Sequence, residues 1–153
     1  MPRTLYLAIF HRHLFPAHWV IYKPNTDDTS SPGTMLHVEG DVANGFSHTV
    51  ARNYDILKTS RTYTMITLGQ VDSQYVKDYP KGAYVSLAPV QAIDRVEQVI
   101  LSVPAPGKSL RSATSKVKQS NCQDWVKECV KVLINQGMLP SSAWDVVQKA
   151  PLN

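Results

Sequence analysis

At 153 residues the chain has the usual length of one domain, and a domain of that size buries about two-thirds of the surface its unfolded form exposes. Hydrophobic residues make up 43% and charged residues 18%, which excludes a disordered tail and implies one globular unit over 1–153. The charge is mildly basic, 16 Lys+Arg against 12 Asp+Glu. The basic residues are scattered apart from Lys108-Ser-Leu-Arg111 and Lys116-Val-Lys118, with no aromatic platform between them, so no nucleic-acid partner is expected.

No stretch approaches the ~20 apolar residues that span a bilayer, so no integral membrane segment is expected. The opening Met-Pro-Arg-Thr-Leu-Tyr-Leu-Ala-Ile-Phe runs into His11-Arg-His without a small-residue cleavage site, and reads as a first strand rather than a signal peptide. A cytoplasmic, reducing location follows as the expectation.

In chain order, Thr4–Phe10 is apolar and β-rich, and His18–Lys23 (His-Trp-Val-Ile-Tyr-Lys) follows Phe15-Pro16. Pro24 through Gly33 is a polar loop rich in turn formers. Thr34–Glu39 then resumes extended chain, and the two segments predict an antiparallel hairpin with a long tip. Arg61–Gly69 alternates polar with apolar residues and predicts a further strand.

The period then changes. Pro89–Val103 carries Val90, Ile93, Val96, Val99 and Ile100 at helical spacing and ends at Pro104-Ala-Pro-Gly107. Lys108–Lys118 is a connector. Asn121–Asn135 places Cys122, Trp125, Val126, Cys129, Val130 and Leu133 on one helical face, with Ser120 or Asn121 as cap and Gly137 as stop. Ser141–Lys149 predicts a short final helix behind Pro140. Strands first and helices later predict an α+β fold, an antiparallel sheet packed against helices.

The two cysteines, Cys122 and Cys129, would stand ~10 Å apart along one helix, beyond disulfide reach, and without a His/Cys cluster they predict neither a metal site nor a cofactor. Cys129 lies deeper on the apolar stripe and reads as core. Cys122 occupies the first helical turn, where unpaired N–H groups and the helix dipole stabilise a thiolate and lower its pKa. Those same N–H groups, including that of Cys122 itself, are candidates for an oxyanion hole, and Lys116 and Lys118 would add to the positive field. The bland alternative is a small apolar side chain on a buried face.

A nucleophilic thiol needs a base. Of the five histidines, His18 begins one arm of the hairpin and His37 lies on the other, so one imidazole would take the proton and the second would orient it. His48 and Asn53 are spare candidates.

Ser120-Asn-Cys-Gln-Asp-Trp-Val126 resembles the Asn-Cys-x-x-aromatic motif of the circularly permuted papain-like, NlpC-type proteins, among them the lecithin:retinol acyltransferase-like enzymes and the PPPDE isopeptidases. His18-Trp-Val-Ile-Tyr22 resembles the histidine strand of the acyltransferase branch, and Met35-Leu-His-Val38 the strand that follows it. Leu133-Ile-Asn-Gln-Gly-Met-Leu-Pro140 is similar to the close of the helix in the isopeptidase branch. The resemblance covers His18 to Pro140 and implies a permuted papain-like fold with Cys122 as nucleophile, His18 as base and His37 as third member. Two features depart from it: Asp124 stands where the acyltransferase branch has a histidine, and the Pro24–Gly33 loop lengthens the separation of His18 from His37.

The leading expectation is therefore a cysteine-dependent hydrolase or acyltransferase acting on an ester, thioester or amide. Its substrate, a small acyl molecule or a modified protein, would lie in a groove bounded by the Pro24–Gly33 loop and the Asp72–Ala88 segment. An isopeptidase or small-metabolite tailoring enzyme on the same fold is one alternative. A catalytically inactive binding module is another, motivated by Asp124, whose carboxylate would raise the thiol pKa.

Overall fold

The structure is a computed structural model, and it describes residues 2–12, 16–27, 31–41, 43–86, 90–107 and 121–152. The connector Lys108–Lys118 and the capping alternative Ser120 lie outside the described residues.

The apolar run at the start forms β1 (Arg3–Phe10), which pairs antiparallel with β2 (His18–Pro24) from Tyr6–Tyr22 to Phe10–His18. The expected hairpin partner is β3 (Gly33–Asp41), antiparallel to β2 from Ile21–Leu36 to Pro24–Gly33. Next comes β4 (Gly45–Tyr54), a strand not expected from the sequence. The alternating segment forms β5 (Tyr63–Val71) beside β1, and the two-residue β6 (Val85–Ser86) closes the other edge. The result is one six-stranded antiparallel sheet in the order β5-β1-β2-β3-β4-β6.

Three helices follow in sequence: α1 (Arg95–Ser102), α2 (Cys122–Asn135) and α3 (Ser142–Lys149). The fold is thus α+β, as expected. The helix expected over Pro89–Val103 is shorter than its apolar spacing suggested. Asp94, in extended conformation, caps it by accepting from the Glu97 N–H, so Val90 and Ile93 precede it. At its far end α2 closes with Gly137 at φ +75°, where Met138 N–H donates to the Leu133 carbonyl at 2.9 Å and Gly137 N–H to that of Ile134 at 3.0 Å. This paired closure needs the left-handed conformation that glycine adopts without strain.

Period-two alternation splits the sheet into two faces. Trp19, Ile21, Leu36, Val38 and Val50 pack with Val126, Cys129 and Leu133 of α2 in the main core. Val20, Tyr22, Met35 and Ala51 form a second cluster with Ala8, Phe10 and Ile56 on the opposite face.

A buried ionic cluster ties α1 to the sheet. Lys23 on β2 donates to Asp94 at 2.7 Å and to Glu97 at 2.5 Å, and Arg52 on β4 reaches the two Glu97 oxygens at 2.6 and 2.7 Å. Burial pushes the Glu97 carboxyl up, but the hydrogen bonds and charges of Arg52 and Lys23 outweigh it and hold the group below its ordinary range.

Candidate functional site

Cys122 opens α2 behind Asn121, whose side-chain oxygen accepts from the N–H groups of Gln123 (2.9 Å) and Asp124 (3.2 Å). The Asp124 carboxylate returns the interaction by accepting from the Asn121 N–H at 3.1 Å, completing a capping box. Asp124 therefore anchors the helix start, and the expectation that its carboxylate would raise the thiol pKa is corrected. The pKa of Cys122 is indeed raised, but burial is the cause; N–H groups of Trp19, Cys122 and Gln123, with the charge of Arg12, pull the other way without prevailing. The expected lowering by the helix terminus is likewise overturned, because desolvation of a thiol only 9% exposed is the larger effect.

The sulfur lies against the backbone that carries His18. Its thiol points at the Ala17 carbonyl at 4.0 Å, and the Trp19 N–H also reaches the sulfur. Gln123 strengthens this seat, its amide nitrogen donating to the carbonyls of Ala17 (2.9 Å) and Leu152 (3.0 Å). Ala17 N–H donates to Leu152 at 2.8 Å and the Trp19 indole to the Pro151 carbonyl at 3.1 Å. With both its amide hydrogens engaged, Gln123 has no side-chain donor left for an oxyanion; the N–H of Cys122 is the helix-start donor that Asn121 does not take.

His18 and His37 share the parity of Val20 and Met35, which puts both imidazoles on the sheet face away from α2. They nevertheless meet the cysteine's side of the molecule. The β2–β3 ladder stops at Ile21–Leu36, so among the described residues nothing pairs Trp19 with Val38, and the helix start sits where the strands part. At this opening a pocket of about 250 Å³ is lined by Cys122 and His18 with Arg12, Val38, Glu39, Gly40, Phe46 and Arg61. His37 does not line it and joins through His18, its Nδ1 lying 2.8 Å from His18 Nε2. No hydrogen bond links the Cys122 sulfur to either imidazole in this conformation.

Burial, then the charges of His37, Arg12 and Arg61, depress the His18 pKa to about 3. Burial and Arg61 depress that of His37 to about 4. Both rings are neutral at pH 7, so one of the two facing nitrogens carries the shared proton. If His18 Nε2–H donates, its Nδ1, which has no hydrogen bond among the described residues, keeps a lone pair for a thiol proton.

Glu39, its side chain 62% exposed, stands 3.8 Å from His37 Nδ1. His18, His37 and Glu39 offer donor atoms within 4.8 Å of one another, the one such cluster among the described residues. The 2.8 Å nitrogen separation is that of a hydrogen bond, shorter than the roughly 3.3 Å between two nitrogens that share a tetrahedral zinc ion at ~2.0–2.1 Å.

The spare candidates lie elsewhere. His48 donates from Nε2 to the Val103 carbonyl at 2.7 Å and rests against Trp125, and Asn53 accepts from Asn25 at 2.7 Å. Cys129 is fully buried in the main core, as expected. Of the expected groove walls, the described residues of Pro24–Gly33 and Asp72–Ala88 do not line this pocket, and 28–30 and 87–88 lie outside the described residues. Pro24 closes the opposite end of β2 from His18, ~20 Å away at 3.3 Å per residue. Arg12, Arg61 and Phe46 were missed, and the cation–π contact that sets Arg61 over Phe10 at 4.1 Å is a signal only the fold supplies.

Fold and site together define an α+β protein with a buried thiol and a histidine pair at the parted end of an antiparallel sheet. The chain belongs to the DUF6540 family, a family of unknown function, whose model matches residues 5–140. No curated protein and no solved structure matches it. No helix among the described residues is long and apolar enough to cross a membrane.

Proposed function

We propose that the protein is a cysteine-dependent hydrolase or acyltransferase. The observation that carries this reading is the pocket shared by Cys122 and His18, with His37 bonded behind His18. The side chain of Cys122 turns from the Ala17 carbonyl toward the imidazole when substrate enters. Its sulfur attacks an ester, thioester or amide carbonyl while the thiol proton passes to His18 Nδ1. His37 accepts from His18 Nε2–H and steadies the imidazolium, and the Cys122 N–H donates to the oxyanion. The leaving group takes the proton from His18, and water or an acceptor resolves the thioester.

The resting groups are a neutral thiol and a neutral imidazole rather than a preformed thiolate–imidazolium pair. The order of the parts, histidine strand before cysteine helix, accords with the permuted papain-like arrangement and supports that relationship as part of the proposal. The pocket falls just under the ~300–1,000 Å³ range of drug-sized sites, which favours a small acyl group over an extended protein tail.

A second reading, a binding module without catalysis, is favoured by the raised thiol pKa and by the missing sulfur–imidazole bond. Incubation with p-nitrophenyl acetate and mass mapping separates the two. Acetylation at Cys122 that is lost in Cys122→Ser and strongly slowed in His18→Ala supports the enzyme. No adduct at Cys122, or one indifferent to His18, supports the module.

A further inference from the structure

We propose that the Cys122 pocket takes a substrate bearing an anionic group, a carboxylate or a phosphate, held at the rim by Arg12 and Arg61. This deepens the reading of Cys122 as nucleophile and rests on it for the word substrate; the anion site itself stands on separate observations.

The pocket is built in two tiers. Its floor holds buried groups that are neutral at pH 7, His18 at 7% and Cys122 at 9% exposure. Its rim carries two exposed guanidiniums, Arg12 and Arg61, against one carboxylate, Glu39, which stands beside His37. The buried cations of the fold have carboxylate partners: Arg3 meets Asp78, Lys23 meets Asp94 and Glu97, and Arg52 meets Glu97. Among the described residues neither Arg12 nor Arg61 has one.

Arg61 is also held in place. Its guanidinium lies 4.1 Å above the Phe10 ring, on the strand next to β2, so part of its rotamer entropy is spent before any ligand arrives. Both arginines act electrostatically on His18, and Arg12 acts on Cys122 as well, which places their charge within range of the reacting atoms. A planar, always-charged fork matches carboxylate or phosphate oxygens in pairs. An acyl chain whose carbonyl sits at Cys122 and whose far end is anionic would meet both tiers at once.

The test has two arms. In the first, the rates at which iodoacetate and iodoacetamide alkylate Cys122 are compared by mass mapping in the wild-type chain, Arg12→Gln, Arg61→Gln and Arg61→Lys. The two reagents deliver similar groups and differ in charge, so their rate ratio reads the anion site and cancels the reactivity of the thiol. We expect the iodoacetate-to-iodoacetamide ratio to fall about three- to fivefold in either glutamine variant, the scale of one exposed charge contact, and to fall less in Arg61→Lys, which keeps the charge but loses the fork and its stacking on Phe10. In the second arm, inorganic phosphate and acetate are titrated into Cys122→Ser while NMR follows the Arg12 and Arg61 side chains. Saturable shifts lost in Arg61→Gln support the site and show which anion it prefers. An unchanged ratio, or no saturable shift with either anion, overturns it. A thiol inert to both reagents in a protein that still binds phosphate would defeat the enzymatic reading and leave the anion site standing.

Discussion

Nε2 of His18 and Nδ1 of His37 stand 2.8 Å apart on neighbouring strands that are not paired to each other at that level. The bond between the side chains takes the place of the missing ladder there. With His37 Nδ1 as the acceptor, the same bond holds His18 in the tautomer that leaves its own Nδ1 unprotonated. His18→Ala is expected to slow acylation of Cys122 by roughly 10²–10⁴-fold, the usual contribution of a positioned base. His37→Ala should cause a smaller loss that His37→Gln partly restores, because a glutamine carbonyl can still accept from Nε2–H. Single-turnover acylation checks this, and equal losses in His37→Ala and His37→Gln would count against the orienting role.

Acid should weaken the fold through the same two rings. Each binds its proton at lower pH folded, about 3 and about 4, than its ordinary 6.5. As pH falls below 6.5 the unfolded chain protonates first, so their stabilising contribution is complete above 6.5 and declines toward pH 4–3. At pH 5 the loss is on the order of 2 kcal/mol per imidazole. Urea midpoints at pH 7.5 and pH 5 measure it, with the double variant His18→Gln/His37→Gln as reference. Equal midpoints in the wild-type chain would contradict the buried, neutral pair.

Iodoacetamide should find a reluctant thiol. Because burial raises the Cys122 pKa, the alkylation rate is expected to climb only at pH above the ordinary ~8.5 of a free cysteine. Cys129, fully buried, should react only on unfolding. A rate that levels off near neutral pH would mean that a thiolate exists in the resting protein, and the neutral pair proposed above would be wrong.

The ionic cluster beneath α1 should be costly to break on one side. Lys23→Met leaves Asp94 and Glu97 with a missing cation in a dry setting, and an expected loss of about 3–5 kcal/mol follows. Glu97→Gln leaves Arg52 without its carboxylate partner and Lys23 with Asp94 alone. Chemical denaturation reads both, and a loss under 1 kcal/mol in each would show that water reaches these groups.

Gln123→Ala removes both hydrogen bonds that seat Ala17 and Leu152. An expected destabilisation of about 1–3 kcal/mol should accompany faster alkylation of Cys122, since the sulfur loses its cover. Thermal unfolding and iodoacetamide kinetics on one sample check the pair of effects together; slower alkylation would contradict the seat described for the sulfur.

Local signals in the sequence carried much of this architecture. The β2–β3 hairpin, α2 with its Asn121 cap and its Gly137 stop, and the place of Cys122 at a helix start were all legible because neighbours along the chain specify them. The Asn121-x-x-Asp124 spacing is also that of a capping box, and Asp94-x-x-Glu97 marks the true start of α1, both local patterns. β4 escaped because its core-side Arg52 spoils the apolar alternation, and that arginine is buried only by virtue of Glu97, forty-five residues away. The parted strands, the rim arginines and the depressed imidazoles depend on distances between remote segments, which no local pattern encodes.

The seat of the sulfur has a consequence for synthesis. Trp19 is bonded to the carbonyl of Pro151 across 132 residues, and Ala17 and Gln123 are both bonded to Leu152. A nascent chain can pair β1 with β2 early, yet the residues on either side of His18 gain these bonds only once residues 151 and 152 have left the ribosome. The backbone against which the sulfur rests therefore reaches its full hydrogen bonding only after the segment carrying residues 151 and 152 has been added.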